Sequence, residues 1–163
     1  MASRSSGSTP SRILVLHGPN LNLLGRREPH IYGSTTLDDI NARLRAEADA
    51  LGVDIETFQS NHEGFLVDKL HENIDRADGG LVNPAGLTQF GVSLHDAIKA
   101  MPFPVIEVHI SNLGTRDEIH QHSILTPAVR GTVMGLGWRS YTAALRALVE
   151  IVREEKAAKR QKL

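Results

Sequence analysis

The chain has 163 residues, 40% of them apolar, with 18 basic side chains against 19 acidic ones, eight histidines and no cysteine. That length suits one domain with a real core, and the missing cysteine excludes a disulfide framework, thiolate zinc sites, iron–sulfur clusters and cysteine nucleophiles. A net charge of −1 leaves no electrostatic footprint for nucleic acid or an anionic membrane, no apolar run reaches the ~20 residues a bilayer span needs, and no apolar segment near the start reads as a secretory signal.

Residues Met1–Ser11 (MASRSSGSTPS) are small and polar and read as a disordered leader ahead of one folded domain over 12–153. Ile13–His17 (ILVLH) reads as a buried strand. Leu37, Ile40, Leu44, Ala48 and Leu51 follow helical spacing, with Thr36 as cap and Gly52 as stop. Val53–Phe58 is a second strand, and Leu66, Leu70 and Ile74 stripe a second helix. Gly80–Asn83 is a short strand. Leu94, Ile98 and Met101 mark a third helix, ended by Pro102. Val105–Ile110 and Gly131–Gly135 are the fourth and fifth strands. Tyr141, Leu145, Leu148 and Val152 stripe a last helix, and Glu154–Leu163 (EEKAAKRQKL) reads as its charged, fraying end. Strand and helix alternate throughout, which predicts an α/β fold: a flavodoxin-like, doubly wound sheet of five parallel strands with helices on both faces.

In such sheets ligands sit outside the carboxyl ends of the strands. The first strand delivers Gly18-Pro19-Asn20-Leu21-Asn22 there, the third Asn83-Pro84-Ala85-Gly86 and the fourth His109-Ile110-Ser111-Asn112. These polar, glycine- and proline-bearing segments converge on one crevice. The loop from Asn20 to Gly33 is longer than strand–helix connections usually are and carries Arg26, Arg27 and Tyr32 between Gly25 and Gly33, the pattern of a lid. A guanidinium beside a tyrosine favours its phenolate and makes it a base; alternatively the arginines are surface charge and Tyr32 packs on the body. Glu107 and His109 face the same side of their strand. The carboxylate can set the imidazole's tautomer and make it an acid, or the histidine is a neutral, hydrogen-bonded strand end. His109, His120 and His122 are loosely spaced for a metal site, with only Asp117 and Glu118 as nearby carboxylates. Gly135-Leu136-Gly137 before the last helix resembles a phosphate-cradling turn but lacks the full dinucleotide fingerprint.

Five segments carry a resemblance over nearly the whole chain: LHGPNLNLLGRREPHIYGSTTL (Leu16–Leu37), QSNHEG (Gln59–Gly64), NPAGLT (Asn83–Thr88), EVHISN (Glu107–Asn112), and His122-Ser123 followed by Gly135–Gly137. On these the chain is identified as a member of the type II 3-dehydroquinate dehydratase family. The resemblance implies an enzyme of the shikimate pathway or of quinate catabolism, without metal, Schiff base or other cofactor, and the missing signal and zero cysteine count point to the cytoplasm. Its reaction removes a proton alpha to the ketone of 3-dehydroquinate and expels a hydroxyl in an anti elimination through an enolate. The lid tyrosine that acts as base matches Tyr32, the arginine that favours the tyrosinate matches Arg27 with Arg26 as its rival, and the general acid matches His109, oriented by Glu107. Asn20 matches the asparagine that stabilises the enolate through water, and Asn83 a substrate-binding asparagine. The backbone amides of Ile110 and Ser111 match those that bind the substrate carboxylate. Asp96 matches an aspartate that reaches a neighbouring subunit's site, and the family's assembly implies a homo-oligomer, a dodecamer of four trimers; the balanced charge leaves no nucleic-acid or membrane partner expected.

Three stretches of the chain depart from the family pattern. Thr88-Gln89-Phe90-Gly91 stands where the family usually reads Thr-His-Thr-Ser, and His120 and His95 stand where it has arginines. The family's histidine and arginine at the places of Gln89 and His120 bind two ring hydroxyls. The changes therefore point either to the same dehydration on a modified ring or to drift in an ordinary enzyme whose Gln89 and His120 still meet both hydroxyls. A non-catalytic paralogue is the remaining alternative, and retention of Tyr32, Arg27, Asn20 and His109 speaks against it.

Overall fold

The computed structural model describes residues 9–26 and 28–162. Met1–Ser8 of the expected leader, Arg27 and Leu163 therefore lie outside the described residues. Five strands form one sheet in the order β2-β1-β3-β4-β5: β1 Arg12–His17, β2 Asp54–Gln59, β3 Gly79–Asn83, β4 Val105–His109 and β5 Gly131–Met134. Every pairing is parallel, as the expected flavodoxin-like arrangement requires. β3 and β4 are buried from end to end, whereas the edge strand β2 is only half-buried. It carries Glu56, which pairs with Arg12 and Lys69. A charged edge of this kind resists pairing with another chain.

Helices α2 (Leu37–Leu51) and α5 (Arg139–Gln161) cover one face, and α3 (Glu63–Glu72) and α4 (Val92–Ala100) the other. Alternation along the strands supplies two cores. Ile13, Val15, Leu81, Ile106 and Val108 face α2 and α5, while Leu14, Leu16, Val82 and Val105 face α3 and α4. The expected start and stop of α2 hold. Thr36 Oγ1 accepts from the Asp39 N–H at 3.1 Å, Asp39 Oδ2 accepts from the Thr36 N–H at 2.9 Å, and Gly52 ends the helix with φ +68°. The α3 stripe stops short of Ile74, which is 40% exposed beyond the helix end.

One region was not foreseen as structured, and another, read as a fraying helix end, is more regular than expected. The long first loop contains a single 3₁₀ turn, Leu21–Leu23, and a four-residue helix, α1 (Pro29–Tyr32), started by Pro29. Helix α5 continues unbroken to Gln161, with Arg130 paired to Glu155 and Lys156 to Asp78. Lys156 also donates to Ser11 Oγ, and the Ser11 carbonyl accepts from Asp54 N, so the end of the expected leader is drawn into the sheet.

Candidate active site

At the carboxyl ends of β1, β3 and β4 the chain leaves a cleft. Its walls come from the segments delivered by those three strands, together with Tyr32 from the long loop and Arg116 and His120 from the segment after β4. A crevice at the strand ends, with polar groups converging on one space, is where open α/β sheets take small molecules.

The β1 and β3 ends are zipped together. Gly18 N donates to the Asn83 carbonyl at 2.8 Å, and a Cβ at Gly18 would lie 2.4 Å from the Pro84 carbonyl oxygen, so only glycine fits. Asn20 follows in the left-handed region, φ +67°. Its N–H donates to Asn61 Oδ1 at 2.9 Å, and Gln59 Nε2 donates to that same oxygen at 3.1 Å. Leu21 and Leu24, buried in the α2/α5 core, pin the loop beside the cleft.

Tyr32, at the end of α1, is brought over the cleft. Its hydroxyl accepts from Arg116 Nη1 at 3.2 Å, and the same nitrogen donates to Ser111 Oγ at 3.1 Å. The guanidinium carbon stands 5.5 Å from the centre of the Tyr32 ring. A cation at the phenol is thus present, but from a residue not foreseen as part of the site. Arg26 is exposed. Arg116 was visible in the sequence only as the cation in the segment that β4 also supplies with His109 and Ser111. Proximity along the chain drew the reading to the arginines of the loop, of which Arg27 lies outside the described residues.

His109 lies on the opposite wall. Its Nε2 donates to Glu107 Oε1 at 2.6 Å, which leaves Nδ1 for the cleft. Both side chains point away from the Ile106/Val108/Ile110 face, toward α3 and α4. Glu107 is fully buried and also accepts from Ser123 Oγ at 2.6 Å and Thr126 Oγ1 at 3.1 Å. Burial pushes its carboxyl up, but the bonds from His109 and Ser123, the His109 charge and Thr126 outweigh it, and the net direction is down. Glu107 is held as an anion, and a buried carboxylate bonded to one ring nitrogen fixes the imidazole's tautomer.

Asn83 ends β3 with its side chain at the cleft, 3% exposed. The main chain of Ile110 and Ser111 leaves β4 along the same cleft. On the remaining wall, Gln89 Nε2 donates to the His122 carbonyl at 2.9 Å, and His120 Nδ1 pairs with Asp117 Oδ1 at 2.6 Å. Both side chains line the cleft and keep further polar atoms for a ligand. Asp96 does not reach this cleft; it is exposed on α4 and pairs with His95 Nδ1 at 2.8 Å.

The other two readings of the sequence resolve differently. The Gly135–Gly137 turn is no phosphate cradle. Its N–H groups are taken up by the His109 carbonyl, by Ser140 Oγ and by the Ile110 carbonyl, so the turn clamps the β4 exit to α5. His109 and His120 are each held by a carboxylate, and among the described residues no group of three histidine or acidic side chains is placed to hold a metal ion. No helix among them is long and apolar enough to cross a membrane.

Comparison with known proteins follows the same geometry. A family described as dehydroquinase class II matches residues 11–149. A 3-dehydroquinate dehydratase of Desulforudis audaxviator is 48% identical over 148 residues, which is 91% of this chain and 99% of that protein. Among solved structures, a type II dehydroquinase from Propionibacterium acnes superposes with a TM-score of 0.83 at 43% identity, covering 88% of this chain and 99% of that one. A type II dehydroquinase from Butyrivibrio crossotus gives a TM-score of 0.84 at 35% identity, covering 85% and 97%.

Proposed function

The chain belongs to the dehydroquinase class II family, and on that premise we propose that it is a lyase that dehydrates 3-dehydroquinate to 3-dehydroshikimate by acid–base elimination. Tyr32, as its phenolate, removes the proton alpha to the ketone. The electron pair moves into the ketone as an enolate, which Asn20 stabilises through a bridging water. The enolate then collapses and expels the hydroxyl, to which His109 Nδ1 gives its proton, so that water leaves instead of hydroxide. Glu107 balances the imidazolium before that transfer.

The observation that carries this reading is the pairing across one small cleft: a phenol held by a guanidinium faces an imidazole held by a buried carboxylate. A base that must carry negative charge sits by a cation, and an acid that must carry positive charge sits by an anion. Arg116 serves the role expected of Arg27 or Arg26, alone or with Arg27. The Ile110 and Ser111 amides bind the substrate carboxylate and Asn83 a ring oxygen. Gln89 and His120 meet ring hydroxyls. Both residues keep polar groups at the cleft that suit ring hydroxyls, which supports the unmodified ring. Asp96 acts in the cleft of a neighbouring copy, within a trimer that forms part of the dodecamer.

The test is absorbance of the conjugated enone carboxylate after addition of 3-dehydroquinate. We expect turnover by the wild type, and a loss of roughly 10²–10⁴-fold in kcat for Tyr32→Phe. No turnover by folded wild-type protein would overturn the activity, and a Tyr32→Phe enzyme of normal kcat would overturn the base.

A further inference from the structure

Behind the cleft, on the α2/α5 side, lies a run of polar side chains that the elimination itself does not use. His17 ends β1 and stands in register with Asn83 at the end of β3. His17 and Tyr141, the latter from α5, are both wholly buried. Asn83 Nδ2 donates to Tyr141 Oη at 2.9 Å, Tyr141 Oη and His17 Nδ1 are 3.0 Å apart, and His17 Nε2 is 2.9 Å from Asn41 Oδ1 on α2.

The protons in this run follow from one another. The Asn41 oxygen can only accept, so His17 Nε2 carries the ring proton and Nδ1 is the acceptor. Tyr141 O–H therefore donates to Nδ1, and its oxygen is left to accept from Asn83 Nδ2. Burial lowers His17 to about 4, so the ring is neutral and Nδ1 keeps its lone pair near neutral pH. On its other side Asn83 Oδ1 accepts from the Ala85 N–H at 3.2 Å, but Ala85 sits at φ +50°, so that anchor belongs to a strained turn. A Tyr141 proton with no acceptor at His17 would turn toward Asn83 and compete for its oxygen.

We infer that Tyr141 and His17 are positioning residues for Asn83: together they make the tyrosine oxygen an acceptor and so hold the asparagine amide with its second N–H toward the cleft, ready for an oxygen of the substrate. This rests on the proposed function above, in which Asn83 binds the ring. It assigns work to two buried side chains that touch no substrate.

The test is a double-mutant cycle on 3-dehydroquinate turnover with Tyr141→Phe, Asn83→Ala and the pair together. Loss of one oriented hydrogen bond, felt equally in the bound and transition states, raises KM by roughly 3- to 12-fold for Tyr141→Phe while kcat changes little. In the pair, KM matches that of Asn83→Ala alone, because Tyr141 acts through Asn83. His17→Leu reproduces the rise in KM, and His17→Asn, whose amide oxygen can stand where Nδ1 stood, recovers most of it. These two histidine variants decide the matter if Tyr141→Phe does not fold. Unchanged KM in Tyr141→Phe, a double variant whose effect is the product of the two single ones, or equal KM for His17→Leu and His17→Asn overturns the positioning role and leaves the activity standing. Absent turnover in the wild type overturns the activity, and the positioning role falls with it.

Discussion

Glu107 shows how far a single side chain could be read without coordinates. Its spacing from His109 placed the two on one side of a strand, and they meet at 2.6 Å. The hydroxyls of Ser123 and Thr126 that complete its shell lie 16 and 19 residues further on, with nothing in the local pattern to pair them. Tyr32 was legible as a lid residue, yet its described cation, Arg116, is 84 positions away. His17 was set aside as one scattered histidine of eight, and its burial gives it a pH signature. Its pKa falls from the ordinary 6.5 to about 4 on folding. Between those values the unfolded chain binds a proton that the folded chain refuses. The stability His17 contributes is therefore complete above pH 6.5 and is lost as pH falls toward 4, about 3 kcal/mol over the window. Denaturation midpoints across that range should fall less steeply for His17→Asn than for the wild type, and parallel curves would refute the linkage.

At the scale of elements, composition and periodicity decide most of the outcome. The α2 boundaries follow from Thr36, Asp39 and Gly52, whose effects are local. Every strand end lies within one residue of its reading, because short apolar runs bounded by glycine, proline and polar residues have few other solutions. The long loop was harder. Its 3₁₀ turn and the four-residue α1 are held by tertiary contacts such as the burial of Leu21 and Leu24, not by helical periodicity. Two substitutions separate an element that only supports the fold from one that also shapes the cleft. Thr36→Ala should lower stability by about 1 kcal/mol while turnover holds. Gly18→Ala forces a Cβ against the Pro84 carbonyl, so it should move the Asn83–Gly86 turn, lower stability by about 1–3 kcal/mol and reduce kcat/KM together. Chemical denaturation and the absorbance assay measure both, and normal turnover in Gly18→Ala would show that the turn does not set the cleft.

For the molecule as a whole, one chain leaves surface unexplained. Phe90 is 68% exposed, Val92 62% and Phe65 55%, and Asp96 lies outside its own cleft. Exposed aromatic and aliphatic side chains beside α4 suit contact with another copy. Light scattering should therefore give a native mass that is a multiple of 17.8 kDa, twelvefold for the dodecamer. A monomer at micromolar concentration would exclude any sharing of Asp96. The sequence by itself determined the layered α/β architecture, because alternating apolar periods must bury their faces on each other. It also determined that the strand ends carrying Asn20, Asn83 and His109 would line one cleft, because parallel strands all point the same way. Only the tertiary structure decided which partners complete that site: Arg116 at Tyr32, Ser123 and Thr126 at Glu107, and Tyr141 and His17 behind Asn83. Those pairings join positions far apart in the chain, where hydrogen-bond geometry and burial choose the partner and no local pattern encodes it.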